Sequence, residues 1–380
     1  MSTSITWKTV VTSSSILSLA LVGDALIYAV LPVHAEAFGV SLVWVGVLLS
    51  ANRFVRVLAY GWIAKSAQRF GLRRLCIAAL LAAIVSTAMY GLATGAAALL
   101  LARILWGLAF AGLLLVTLGH AVHDRARVGS RLGWSRAIQH VGPILALIAG
   151  AWLTGFLGPQ AVFVWLALLT ATAIPLALSL PADRTGGGAP VSARSLGRPT
   201  PMDLLFAFQG FGVDGVFVVS ITLLLAQELP LDLAVLSGAS LLAVRHVCDA
   251  VGAPLFGRIG DRHGAGRILV VTMACTAVGF FGIAWGFTIA GALMMLFSRS
   301  ALTVLGPAVV VQRIAPTQSA IGDLARMHAW RDLGAAMGPL AAGVLLTVTS
   351  AELLHGVMGA LATVGMLAWA ADQRKRRPAA

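Results

Sequence analysis

The sequence predicts an all-α, polytopic membrane protein with twelve transmembrane helices in two pseudo-symmetric six-helix bundles, and three observations carry that fold class. The first is composition. Of 380 residues, 59% are hydrophobic and 11% charged, with a mean hydropathy of +0.92, which leaves too little polar surface for a globule in water. The second is length: a bilayer core about 30 Å thick takes roughly 20 apolar residues per helix, and about twelve such runs follow one another through short connections. The third is repetition. Arg53 and Arg245 stand 192 residues apart, Arg69 and Arg262 stand 193 apart, and so do Gly71 and Gly264. The spacing is 196 for Arg103 and Arg299 and for Gly142-Pro143 and Gly338-Pro339, and 190 for Asp24 and Asp214. A period this long rules out a solenoid and fits two fused bundles of spans.

Taken in order, the first-half spans are expected near 11–33, 41–63, 73–94, 97–121, 131–154 and 159–181. Those of the second half are expected near 203–227, 231–257, 267–287, 289–312, 324–349 and 352–371. Lys8 ahead of an apolar run, with Ala35-Glu36-Ala37 after it, imitates a cleavable leader. Asp24 interrupts that run and the 203–228 span repeats it, so it is read as a retained first helix. The second and eighth spans lead into charged, glycine-containing stretches, expected as short aqueous loops. Between the halves, DRTGGGAPVSARSLGRPTP reads as a flexible cytoplasmic linker. The division is therefore 1–182, linker 183–202, and 203–380.

A formal net charge of +13 would suit a nucleic-acid binder, but the 27 Lys and Arg residues alternate from connection to connection. Lys8, Lys65 to Arg74, Arg125 to Arg131, Arg184 to Arg198, Arg258 to Arg267, Arg313 with Arg326, and Arg374 to Arg377 occupy every second one. The connections near 33–41, 91–97, 154–160, 227–231, 286–290 and 349–352 hold none. By the positive-inside rule both termini are cytoplasmic, in the cell's inner membrane, and the number of spans is even. The basic charge is a topology signal, and no nucleic-acid partner is expected. Cys76, Cys248 and Cys275 show no disulfide framework. No nucleophile elbow, Walker loop or zincin motif is present, so no enzyme activity, cofactor or metal is expected. His120 and His123 share a helix face but have no third ligand spaced to join them.

The motifs resemble those of the major facilitator superfamily of transporters over essentially the whole chain. Its loop signature G-x-x-x-D-R-x-G stands as Gly257, Asp261, Arg262 and Gly264. The first-half copy keeps Arg69 and Gly71 and has Ala64 and Gln68 at the other two positions. Its fourth-helix Arg, with Gly four residues on, stands as Arg103 and Gly107. The glycine-proline pattern of its exporters is partial on the fifth span, as Gly142, Pro143 and Gly150, and fuller on the eleventh, as Gly334, Gly338, Pro339 and Gly343. The resemblance implies two bundles working by alternating access around a cavity lined in part by the fourth and tenth helices. It also implies a latch, in which the second-half loop docks on the start of the fifth helix, where Arg131 and Arg136 lie.

Charges inside a bilayer are costly and mark function or a structural pair. Asp24, roughly 20 Å into its span at about 1.5 Å per residue, is a proton or cation site or else an ion-pair partner, and Asp214 is its repeat mate. Arg103 joins them as a coupling candidate. Arg53, Arg56, Gln139, His140, Arg245 and Arg299 are substrate-cavity candidates; Arg53, Arg56 and Arg245 are equally readable as headgroup snorkels, or as gating pairs such as Arg56 with Asp249. His140 reads first as a hydrogen-bonded packing histidine and second as a titrating or substrate-binding group. Inside the spans five arginines (Arg53, Arg56, Arg103, Arg245, Arg299) face three acids (Asp24, Asp214, Asp249), an excess that a bound anion would offset. The expected function is secondary active transport by a monomer, led by proton-coupled efflux of a small organic compound, with anions among the candidates. The alternatives are proton-symport or facilitated uptake of an organic anion and, more remotely, a non-transporting receptor or scaffold.

Overall fold

A computed structural model describes residues 6–182, 196–315 and 318–375, all helix and short connections. Most of the expected linker, 183–195, lies outside the described residues, as do Arg184, Arg194, Arg376 and Arg377. Twelve spans follow in order. They are α1 (Trp7–Val33), α2 (Leu42–Phe70), α3 (Leu72–Leu92), α4 (Ala96–Ala121), α5 (128–157) and α6 (Ala161–Leu178), then α7 (Pro201–Glu228), α8 (Leu231–His263), α9 (Ala265–Ala284), α10 (Thr288–Arg313), α11 (Ile321–Leu345) and α12 (Ala351–Lys375). Two are broken by π-helical turns, Ala146–Gly150 in α5, just after Pro143, and Gln209–Val216 in α7. Such bulges re-aim the side chains around them and recur at functional sites.

By length and composition alone, and among the described residues, eight of the twelve are apolar enough to cross a membrane. The four that fall short are α2, α5, α8 and α11, which form two repeat-related pairs. Each carries arginines along its length: Arg53 and Arg56, Arg131 and Arg136, Arg245, and Arg326 and Arg331. The same helices therefore carry arginines within their spans in both halves.

One expectation is corrected. The signature stretch Gly257 to Arg262 is not a loop but the last turns of α8, which runs to His263. Hydropathy ends where the charges begin, but the backbone hydrogen bonds of a helix need no apolar neighbours and continue into water. What ends the helix is Gly264, at φ +90 and ψ 118, a conformation essentially reserved for glycine. Gly71, at φ +86, makes the matching one-residue turn between α2 and α3.

The chain forms two compact units. One comprises α1–α4, α5 from Trp134 onward, α6 and the segment Ile314–Arg326. Its core gathers Leu26, Leu48, Leu99 and Leu166 around edge-to-face rings of Phe38, Phe163 and Tyr90, with centroids 6.1 and 5.6 Å apart. The other comprises Arg125–Gly133, α7–α10, α11 from Met327 onward, and α12. Phe217, Ile221, Phe280, Met295 and Met358 form its core.

Candidate functional site

In the first unit the polar centre is Arg103, buried on α4. Its Nη1 donates to Asp24 Oδ1 of α1 at 2.6 Å and to the Tyr90 hydroxyl of α3 at 3.3 Å. Nη2 donates to the Tyr28 hydroxyl at 3.0 Å and Nε to the Leu48 carbonyl of α2 at 2.9 Å. Tyr28 is one helical turn after Asp24, so both side chains leave the same face of α1. Its hydroxyl in turn donates to the Leu49 carbonyl at 3.1 Å. One guanidinium thus ties four helices together. A planar group with five donors suits this better than an ammonium would.

The second unit repeats the Asp–Arg pair and enlarges it. Arg299 of α10 meets Asp214 of α7 at 3.0 Å through both Nε and Nη2, and meets Asp249 of α8 at 2.5 Å through Nη1. Arg245, one turn before Asp249, comes within 3.6 Å of Asp214 Oδ1. Arg331 of α11 donates to the other oxygen, Oδ2, at 2.5 Å, and lies 3.6 Å from Asp332. Asp214 sits inside the π turn of α7, surrounded by three guanidiniums. Arg299 also borders a cavity of about 20 Å³, lined with Gln209, Thr272, Thr276 and Ser298.

Arg331 was missed by the sequence reasoning, and with it Asp332. A span drawn from 324 placed both closer to a helix end, whereas α11 begins at Ile321. Arg331 is ten residues into α11, about 15 Å along it. The count of intramembrane charges is corrected accordingly. A signal existed: Arg331 precedes Gly338 by seven residues, as Ser135 precedes Gly142, so the second half carries an arginine that the first half lacks. Tyr28 and Tyr90 left no such trace, because an aromatic in an apolar span reads as packing.

Asp261 behaves as a helix cap. Its Oδ1 accepts the Gly129 amide at 2.8 Å and its Oδ2 the Ser130 amide at 2.8 Å and hydroxyl at 2.7 Å, all at the start of α5. The partners are two backbone amides and the Ser130 hydroxyl, not Arg131 or Arg136. Amides at a helix start have no intrahelical acceptor and favour an anion. Gly257, one turn back, lies so close to the Gly129 carbonyl that a Cβ has no room. Arg262 points outward and is exposed.

The glycine-proline residues pack backbone against backbone in both halves. Gly142 abuts the Ser18 carbonyl, and its amide donates to Ser18 Oγ at 2.8 Å. Gly334 and Gly338 abut the Ala207 and Phe211 carbonyls of α7, while Pro143 and Pro339 follow within α5 and α11. Gln139 is buried and donates to Ser135 Oγ at 2.9 Å, accepting from Arg136 at 3.3 Å; Ser135 bonds Ser14 of α1 at 2.7 Å. His140 and Arg53 are half-buried; Arg56 is buried, with its guanidinium 4.6 Å over the Phe110 ring.

The family model of the Major Facilitator Superfamily matches residues 14–244 and 202–380. No curated protein matches the chain by sequence. Among solved structures, the human organic anion transporter MFSD10 (TETRAN) superposes with a TM-score of 0.78 at 15% identity, over 95% of this chain and 99% of that one. The proton:xylose symporter XylE, bound to 6-bromo-6-deoxy-D-glucose, does so with a TM-score of 0.73 at 14% identity, over 96% and 94%. At such identities the likeness is one of fold. Helices, family and fold together define a multi-pass membrane transporter and not an enzyme. The chain belongs to the major facilitator superfamily.

Proposed function

We propose that the chain couples proton movement to the passage of a small organic anion by alternating access. The carrying observation is Asp214, a buried carboxylate held by Arg299, Arg331 and Arg245. The three guanidiniums are balanced by Asp214, Asp249 and Asp332, so protonation of Asp214 leaves one positive charge that a bound anion offsets in a low-dielectric setting. Asp24 and Asp214 are the proposed proton carriers, with Arg103 and Arg299 as their counter-ions. Proton symport of the anion is the favoured direction. Efflux of a small organic compound is the second reading, carried by the glycine-proline pattern of α5 and α11. The working unit is a monomer with bundles 1–182 and 203–380 joined by the linker 183–202, both termini cytoplasmic in the inner membrane.

The test is substrate-dependent counterflow in reconstituted vesicles, with organic acids, amines and sugars compared under a pH gradient imposed in each direction. Acids are expected to accumulate with an inward proton gradient, and the Asp24→Asn/Asp214→Asn double variant is expected to lose that accumulation. Absence of counterflow for every compound overturns transport. Full gradient-driven accumulation by the double variant overturns the proton carriers.

A further inference from the structure

We infer that Asp214 is a tethered stand-in for the substrate: it fills an anion site made by Arg331 and Arg245, which a monocarboxylate enters when Asp214 takes a proton. This rests on the organic-anion reading above and names its site. The three arginines around Asp214 are not equivalent. Arg299 holds a second carboxylate, Asp249, at 2.5 Å, so it remains neutralised when Asp214 lets go. Arg331 meets its second carboxylate, Asp332, at 3.6 Å, beyond hydrogen-bond length. Its Nε is buried with no hydrogen-bond partner among the described residues, while the adjacent Nη2 donates to Asp214 Oδ2. The Nε–Nη2 edge of Arg331 is a two-donor fork holding one acceptor, and a free carboxylate matches such a fork with two parallel bonds.

Exposure points the same way. Arg299 and Asp214 are 6% and 4% exposed, whereas Arg331 and Arg245 are 19% and 25% exposed. The charged groups facing Asp214 include Arg299 from α10, Arg245 from α8 and Arg331 from α11, with Asp249 and Asp332 behind them. When Asp214 takes one proton from water, it becomes a neutral acid and the cluster gains one positive charge. A monocarboxylate on Arg331 and Arg245 restores the balance. When the anion leaves, Asp214 returns the proton to water and recloses on Arg331. One proton and one monocarboxylate therefore move together, in the same direction.

The experiment measures binding with the full-length protein in detergent, using thermal shift with acetate and benzoate and, as controls, the matching amine and alcohol, benzylamine and benzyl alcohol. For the native protein, carboxylates are expected to bind more tightly as pH falls from 8 to 5. Asp214→Asn is expected to bind them at pH 8 roughly tenfold or more tightly than the native protein, with the pH dependence flattened. Asp214→Asn/Arg331→Gln is expected to lose that gain. Should Asp214→Asn not fold, Arg331→Gln alone decides, because Asp214 keeps Arg299 in that variant; low-pH carboxylate binding is expected to fall roughly tenfold or more. Carboxylate binding indifferent to Arg331→Gln, or amines and alcohols binding as well as the acids, overturns the inference. Should native protein drive organic acids with the pH gradient while binding ignores these substitutions, the site falls and the transport reading stands. Binding that shifts as expected without any counterflow keeps the site and removes transport.

Discussion

Arg103 and Arg299 hold repeat-related places and are satisfied in different ways. Arg103 spends its donors on the Leu48 carbonyl, two tyrosine hydroxyls and one acid, whereas Arg299 is held by two acids. A guanidinium bonded to a backbone carbonyl keeps that bond whether or not its acid is protonated, so Arg103 stays anchored to α2 in either state of Asp24. Arg103→Ala removes the partner of Asp24 and is expected to destabilise the protein by about 3–5 kcal/mol, the cost of breaking a buried pair. Arg103→Lys keeps the charge but loses the planar fork, so it should recover part of the lost melting temperature in detergent and not all of it. A lysine variant as stable as the native protein would show that the contacts to Leu48 and Tyr28 contribute nothing. Tyr28→Phe removes one hydroxyl bond to Arg103 and should cost about 0.5–1.5 kcal/mol on the same measure.

At the scale of elements, the end of α8 and the start of α5 form one joint. Gly257 lets the backbones touch and Asp261 caps the amides of Gly129 and Ser130. In the alternating-access reading this joint is a latch on the cytoplasmic side, and opening requires the carboxylate to leave the helix terminus. Asp261→Asn keeps one acceptor oxygen and loses the charge, weakening the cap by about 0.3–2 kcal/mol. Cysteine reporters on the cytoplasmic ends of α5 and α8 are expected to react faster in that variant. Unchanged reporter rates together with unchanged transport would reduce the cap to a static feature. Gly264 acts separately, through its backbone. Gly264→Ala is expected to cost about 1–3 kcal/mol in stability, since φ +90 is strained for any residue with a Cβ.

For the whole molecule, the alternation of basic and base-free connections predicts an orientation that can be tested chemically. With Cys76, Cys248 and Cys275 replaced by serine, single cysteines at the exposed positions Thr94 and Ala126 report on opposite faces. A membrane-impermeant maleimide is expected to label Thr94→Cys in intact cells and Ala126→Cys only after the inner face is opened. Labelling of both from one side would overturn the orientation, because the positive-inside rule places the arginine-rich connections together.

The sequence by itself determined the class: apolar runs long enough to span a bilayer, repeated landmarks, and the signature residues Gly257, Asp261, Arg262 and Gly264 were all legible, because each is a local or periodic property of the chain. It also supplied Asp24, Asp214, Arg103 and Arg299, since a charge in an apolar run stands out whatever its surroundings. The tertiary structure decided the partners. That Asp261 caps Gly129 and Ser130, and that Arg331 and Arg299 share Asp214, depend on contacts between residues more than 80 positions apart in the chain. Hydropathy also ended α8 too early and began α11 too late, because it measures the fit of side chains to lipid, whereas helix ends are set by backbone hydrogen bonds and by residues such as Gly264. Which arginine holds which acid is a matter of helix packing, and the linear pattern carries no record of it.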